Sequence, residues 1–309
     1  MGKNMNILTP VKWTGSKRTQ AEAIIAAFPD DIKCYIEPFL GSGAVMMALL
    51  TNHQEKLSDN VRVIASDVNA DLVALWNLIK DDPKKVISFY REKWMERNSL
   101  DGELRPSDNT QEMQDHRNEC YYKLRDAYNT HYLKGTPEGA MELMCLLAFD
   151  FNGLVRYGKK GFNASCMPVV PGIHPDTKEE IITNISVLMK RYDVKVVCAS
   201  YDELSDTRDA VIYCDPPYKM FLNEKGKDGV YNAGDFNLDE FGAWCKNVEC
   251  EKLLVSFDSG NVGDEYFPSD AYEKQTNDTG TSKFRRQMTK TREPKKSVRT
   301  SESVYIKRH

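Results

Sequence analysis

Ala210-Val211-Ile212-Tyr213-Cys214-Asp215-Pro216-Pro217-Tyr218 decides how this chain is read. The apolar run Ala210 to Cys214 reads as a buried strand. The residue before a proline is kept out of the helical region, so two prolines in succession end the strand and stiffen the chain beyond it. A carboxylate, rigid backbone carbonyls and an aromatic ring are then left at the strand's carboxyl end. In an open α/β sheet that is where ligands bind. One acceptor side chain, acceptor carbonyls and a stacking face suit a planar group with an exocyclic amine, such as adenine. A surface turn with an ordinary tyrosine is the alternative, and the rest of the chain has to decide between them.

Outward from this stretch, short strands recur: Lys33–Glu37, Val61–Ser66, Val194–Ala199 and Lys252–Phe257, with Ser303–Ile306 near the end. Between them Ala44–Leu50 reads as an apolar helix. Leu72–Lys80 reads as another, with Leu72, Leu75, Trp76 and Ile79 on one face. Strands alternating with helices predict an α/β fold with a doubly wound, mostly parallel, Rossmann-like sheet. From Asp81 to about Tyr192 the alternation stops. That stretch holds polar helical segments, a hydrophilic loop over Asp101–Asn109 and an apolar helix around Met141–Phe149. We expect a first catalytic part over 1–80, an inserted, mainly helical domain over 81–192 with a hairpin near 151–168, and a second catalytic part over 193–309. No internal repeat or low-complexity tract interrupts this plan.

The chain has 309 residues, 41% apolar and 28% charged, with a net charge of −4. These values suit a soluble globular protein and do not announce a nucleic-acid binder. No apolar run reaches the length of a membrane span, and Met1–Pro10 lacks the apolar stretch of a signal peptide. The eight cysteines form no Cys-x-x-Cys pair. Cys245 and Cys250 are the closest and are not spaced as zinc ligands, so no metal is expected and a cytoplasmic location is. Charge is uneven: Lys283–His309 holds ten Lys and Arg against two Glu. That density suits either a phosphate-binding surface or a solvated tail. A Gly, Ser and Thr run near Gly280, followed by Ser303–Ile306, suggests a mobile loop returning to a strand.

Two further motifs point to a nucleotide-like ligand. In Glu37-Pro38-Phe39-Leu40-Gly41-Ser42-Gly43 a strand meets a tight glycine turn and a helix start, which lets backbone N–H groups approach a ligand. Asp67 follows about 24 residues after Gly43, near the spacing at which an acidic side chain meets a ribose hydroxyl. Met46 stands where a dehydrogenase would carry its third glycine, which argues against a nicotinamide cofactor. In Val11-Lys12-Trp13-Thr14-Gly15-Ser16-Lys17 an indole face and a cation flank a small turn. Trp13 as core and Lys17 as surface is the plain alternative.

Together these segments resemble the Dam-like, D12-class family of adenine-specific DNA methyltransferases. The likeness runs in order through Lys12–Lys17, Glu37–Gly43, Ser66-Asp67-Val68-Asn69, Asn152-Gly153-Leu154-Val155-Arg156-Tyr157, Ser200-Tyr201-Asp202 and Asp215–Tyr218. It covers most of residues 7 to 260. The resemblance implies a class I methyltransferase fold and S-adenosylmethionine as methyl donor. It implies cofactor contacts from Trp13, Lys17, Glu37, Phe39, Gly41, Gly43, Asp67, Asp202 and Asp215, with Lys17 toward the methionine carboxylate, Glu37 toward the ammonium and Asp67 toward the ribose. Asp215, Pro216, Pro217 and Tyr218 would hold a flipped-out adenine: Asp215 and the Pro216 carbonyl at its amine, Tyr218 on its ring.

Double-stranded DNA is the implied partner, met by Phe151, Asn152, Leu154, Arg156, Lys159 and Lys160. Arg156 would read guanine or meet phosphate. Phe151 would wedge beside the flipped base. The loop Lys219–Asp235, with Tyr231 and Asn232, would close over that base. The resemblance also implies a bacterial or phage setting, admits a cognate restriction enzyme, and suggests a monomer, with a dimer as the alternative. Members acting on GATC usually continue the hairpin with a Gly-Glu-Phe-Asn-Val-Pro-Phe-Gly-like segment. Here Gly161-Phe162-Asn163-Ala164-Ser165-Cys166-Met167-Pro168 lacks the residue between that Gly and Phe and ends differently, which leaves the recognition sequence open. Rival readings are methylation of another planar amine (an RNA base, cytosine or a protein glutamine) and a DNA-binding homologue without catalysis.

Overall fold

The computed structural model describes residues 7–131, 134–217, 236–258, 262–281 and 299–308. At its centre lies a seven-stranded sheet. In chain order its strands are β1 (Ile32–Glu37), β2 (Leu57–Asp67), β3 (Lys195–Cys198), β4 (Ala210–Cys214), β5 (Lys252–Asp258), β6 (Tyr272–Thr281) and β7 (Arg299–Lys307). Their spatial order is β6-β7-β5-β4-β1-β2-β3. The strands β1 to β5 run parallel, and β7 is antiparallel to both β5 and β6.

This is the doubly wound, mostly parallel sheet that the alternation predicts. Its central strands are covered on both faces, so they need no polar side: every residue of β4 is buried. The chain leaves β1 for β2 and β3 on one side, then returns to β4 and continues on the other. The order therefore reverses between β1 and β4, and the carboxyl ends of these two strands face a crevice. Glu37 ends β1, and Asp215 follows β4.

Helices α1 (Ala21–Ala26), α2 (Ala44–Asn52) and α3 (Ala70–Asp81) belong to the first half of the sheet. In α2, Ala44 through Thr51 are all buried, as expected of a helix that is apolar all round. Four helices fill the stretch that adds no strand to the central sheet: α4 (Pro83–Asn98), α5 (Gln111–Thr130), α6 (Pro137–Phe149) and α7 (Pro175–Arg191). Three of them begin with a capping side chain followed by proline: Asp82 on α4, Thr136 on α6 and His174 on α7. Their packing is continuous with the sheet side. Leu72, Leu75 and Trp76 of α3 lie in one buried cluster with Val86, Tyr90 and Trp94 of α4, Leu143 and Leu146 of α6 and Ile182 of α7. Helix α8 (Leu238–Asn247) precedes β5, and α9 (Val262–Tyr266) follows it.

The predicted hairpin is present, with Tyr157 paired to Phe162 and Gly158 to Gly161. Lys159 and Lys160 form its exposed two-residue tip. After it, residues 167–173 lack regular structure, and buried side chains bond their carbonyls instead. Arg97 donates to Met167 O and Val170 O, each at 3.0 Å. Arg117 donates to Pro168 O at 3.1 Å, Asn98 to Pro171 O at 3.1 Å and Tyr90 to Ile173 O at 2.8 Å. Carbonyls that face the protein without a ladder partner need such donors. Tyr218, the loop 219–235 with Tyr231 and Asn232, and the basic stretch 283–298 lie outside the described residues.

Candidate active site

The turn after β1 is built around Gly41. It has φ +49, and an added Cβ would lie 2.9 Å from Trp13 Nε1. Only a glycine lets the indole sit so close. The Gly41 N–H donates to Asp67 Oδ2 at 3.0 Å, and Asp67 Oδ1 accepts from Asn69 N at 2.9 Å. Burial raises the Asp67 pKa, while these backbone donors oppose the rise. The ends of β1 and β2 are thus tied to each other across the sheet edge.

Glu37 is 2% exposed. Its Oε2 accepts from Tyr35 Oη at 2.7 Å and from Met46 N at 2.9 Å. Burial pushes its carboxyl up to about 8, and the Asp215 charge adds to this against the two hydrogen bonds.

Past β4, Asp215 Oδ2 accepts from Lys17 Nζ at 2.7 Å. Lys17 is 3% exposed, also donates to Gly15 O at 3.0 Å, and has Glu302 Oε2 of β7 at 3.6 Å. Burial alone would lower the lysine's pKa, but the two carboxylates outweigh it and the net shift is upward.

The turn carrying Trp13 and Lys17 is fixed from the other side. Gly153 O accepts from Thr14 N at 3.1 Å and from Thr14 Oγ1 at 3.0 Å. Gly153 has φ +68, and a Cβ there would meet the Lys12 carbonyl carbon at 2.6 Å. The buried Asp150 accepts from Gly153 N at 2.7 Å, and burial pushes its carboxyl up to about 8. On the far wall, Phe39 stacks on Tyr201 with centroids 5.8 Å apart, and Phe236 and Phe241 meet Phe39 edge-on.

These parts border one cavity of about 800 Å³. Trp13, Lys17, Glu37, Phe39, Gly41, Asp67, Asp202, Asp215, Pro216 and Pro217 line it, so most of the sequence-predicted ligand residues are brought together. Gly43 is not among them. It caps α2 at φ +63, where a Cβ would meet the Trp76 ring at 2.6 Å, so this glycine serves helix-to-ring packing.

None of the six hairpin-region candidates lines the cavity, but Val155 and Tyr157 between them do. Asn152, Arg156, Lys159 and Lys160 are exposed, whereas Phe151 and Leu154 are half-buried. Arg156 Nε donates to Asn163 Oδ1 at 2.6 Å. Sequence reasoning missed Tyr128, Lys134 and Asp71 on the cavity wall. Buried Asp71 accepts from Tyr128 Oη at 2.7 Å, and Tyr128 Oη lies 2.9 Å from Tyr157 Oη. Tyr157, at the end of the Asn152–Tyr157 motif, was the one signal that could have led there.

Residues 13–279 match the model of the D12 class N6 adenine-specific DNA methyltransferases. The chain belongs to this family. The Type II methyltransferase M.MjaIII of Methanocaldococcus jannaschii is 32% identical over 251 residues, 76% of this chain and 77% of that protein. The DNA adenine methylase of Haemophilus influenzae is 27% identical over 307 residues, 96% and 92% of the two chains. That of Vibrio cholerae O395 is 28% identical over 236 residues, 75% and 73%. The matched span runs from the Trp13 turn to β6, so the cavity's described walls up to Glu240 all fall inside it. The protein is thus an adenine-specific DNA methyltransferase with a Rossmann-like fold. Among the described residues no helix is long and apolar enough to cross a membrane, and no group of three or more His, Cys, Asp or Glu is arranged to hold a metal ion.

Proposed function

We propose that the cavity takes S-adenosylmethionine together with an adenine turned out of duplex DNA, and that the methyl group passes to the N6 amine. One observation carries this reading: the Gly41–Asp67–Trp13 wall and the Asp215–Pro216 wall border the same cavity of about 800 Å³. The donor set suits the cofactor, a zwitterion with an added sulfonium charge and a ribose. Lys17 supplies a cation, Glu37 a carboxyl, Asp67 a carboxylate at the end of β2, and Trp13 and Phe39 apolar faces. The volume is within the usual range for a small-molecule site. Once bound, S-adenosylmethionine supplies an activated methyl with its leaving group attached.

The chain's own work is then positional and electrostatic. An adenine amine is a weak nucleophile because its lone pair is delocalised into the ring. Asp215 and the Pro216 carbonyl accept its two N–H groups, favour a pyramidal nitrogen and aim it. Tyr218 stacks on the base in this reading, although it lies outside the described residues. Extracting the base from the duplex costs roughly a few kcal/mol. The helical insertion over 81–192 supplies the duplex contacts, with Arg156 at a guanine edge or a phosphate, Lys159 and Lys160 at phosphates, and Phe151, Asn152 and Leu154 beside them. The protein then works in the cytoplasm of a bacterial cell, its own or a phage host's, as a monomer or dimer. A cognate restriction enzyme fits the likeness to a Type II methyltransferase.

Transfer of labelled methyl from S-adenosylmethionine to duplex DNA, RNA and protein tests this directly. N6-methyladenine should form in duplex DNA, and Asp215→Ala should lower turnover roughly a hundred- to a thousandfold with the fold kept. Labelling of RNA or protein instead, or DNA and cofactor binding without transfer, would refute the reading. Near-normal turnover in Asp215→Ala would refute the role given to Asp215.

A further inference from the structure

Two carboxylates share one buried ammonium beside the proposed reaction centre. Lys17 Nζ lies 2.7 Å from Asp215 Oδ2 and 3.6 Å from Glu302 Oε2. Asp215 follows β4, whereas Glu302 comes from β7, where it pairs with Asp258 of β5 in the antiparallel register. Glu302 belongs to none of the motifs that carry the family likeness. Its place in the fold brings it to the same end of the sheet.

The arrangement bears on the chemistry. In the reading above, the Asp215 carboxylate must accept from an adenine amine, a neutral donor. At 2.7 Å one of its oxygens instead accepts from Lys17. A charge-assisted bond is roughly twice as strong as a neutral one, so the amine competes poorly while the ammonium stays. A second carboxylate within reach changes that balance. Closing the 3.6 Å gap to Glu302 needs a shift of about 1 Å to reach a charge-assisted bond length.

We propose that Glu302 is a positioning residue for methyl transfer: together with the cofactor carboxylate that Lys17 meets in the reading above, it draws the three-donor ammonium off Asp215 when the site is loaded, leaving Asp215 to hold the amine. This rests on the reading of Asp215 given above. Glu302→Gln keeps the shape of the side chain and removes its charge, and Glu302→Asp keeps the charge.

Steady-state methylation, calorimetric binding of S-adenosylmethionine and crystal structures of the cofactor complexes test the proposal. Glu302→Gln should lower kcat about tenfold or more while the cofactor's Kd stays within about threefold, which also reports that the variant is folded. Glu302→Asp should recover part of that loss. Lys17 Nζ should lie nearer to Glu302 than to Asp215 in the wild-type complex, and remain on Asp215 in the Gln variant. The proposal is overturned by a kcat within about twofold of wild type, by equal turnover in the Gln and Asp variants, or by a Kd that rises in step with the fall in kcat. It is equally overturned by a wild-type complex with Lys17 still on Asp215. Near-normal turnover in Asp215→Ala, which leaves no acceptor, would strike the reading of Asp215 instead, whatever Glu302→Gln does.

Discussion

At the residue scale, two buried carboxyls make predictions with a definite sign. Glu37 has its carboxyl pushed up to about 8 by burial, so it is protonated at neutral pH. In the proposed role it meets the cofactor's ammonium, which favours the ionised form. Binding at pH 7 should then release close to one proton. Affinity should rise with pH by up to about tenfold per unit until about pH 8 and level off beyond. Calorimetry in buffers of different ionisation heat measures the proton count, and Glu37→Gln is the control in which Glu37's share must vanish. Equal proton release in the two proteins would rule out the assigned contact.

Asp150 is also held at about 8 by burial, against the Gly153 hydrogen bond and nearby Lys12. Its folded pKa lies above the unfolded value of about 3.9, so the folded state favours the protonated form. This group's contribution to stability is therefore greatest below about pH 4, falls as pH rises through the window to about 8, and is flat above it. Asp150→Asn keeps an acceptor for Gly153 N and cannot ionise. It should melt higher than wild type at pH 8, by about 1.5 °C per kcal/mol gained, with a flatter pH dependence of Tm between about 5 and 8. An unchanged pH slope would contradict the burial argument.

At the element scale, the segment after the hairpin is supported by side chains instead of a ladder. Arg117 donates to Pro168 O, Pro106 O and Asn98 Oδ1 at 2.8 to 3.1 Å. Arg117→Met fills similar space but leaves the buried Asn98 Oδ1 and the part-buried Pro168 and Pro106 carbonyls unpaired, at a cost of roughly 1–3 kcal/mol. Urea unfolding reads this loss, and cofactor binding should stay within about twofold because Arg117 lies away from the cavity. A loss below about 1 kcal/mol would mean water replaces the guanidinium.

This support was not legible in the sequence, because it joins side chains of α4 and α5 to carbonyls about fifty to seventy positions later. The sheet, by contrast, was legible wherever strands are buried on both faces: β1, β4 and β5 read as apolar runs close to their observed bounds. At the sheet's edge, β6 carries Glu273, Lys274, Gln275 and Thr276 in succession. A strand with one neighbour and a wet side needs no apolar run, so β6 offered no periodic signal. The site divides the same way. Asp67, Gly41 and Asp215 stand at strand ends, where chain order announces them. Tyr128 and Lys134 reach the cavity only through the packing of α5 and the turn before α6.

At the scale of the whole molecule, the helical insertion and the sheet are joined by a common core. The proposed division into a catalytic body and an inserted recognition lobe is therefore one of function along the surface, with no matching break in packing. Trp76 of α3 and Trp94 of α4 lie in the same buried cluster, on either side of the expected boundary near residue 81. The Trp13 turn is bound to Gly153, beyond α6, by two hydrogen bonds from Thr14. Loosening the insertion thus strips the cover from α3 and releases a wall of the cavity in the same event. Urea unfolding should show one transition, coincident by tryptophan fluorescence and far-ultraviolet circular dichroism. Because the Trp13 turn belongs to that unit, S-adenosylmethionine at about a hundred times its Kd should raise the midpoint of the single transition, by an amount equivalent to about 2.7 kcal/mol. Two separated transitions, with the cofactor shifting only one, would show that the insertion folds independently and that the shared cluster is a docking contact between two domains.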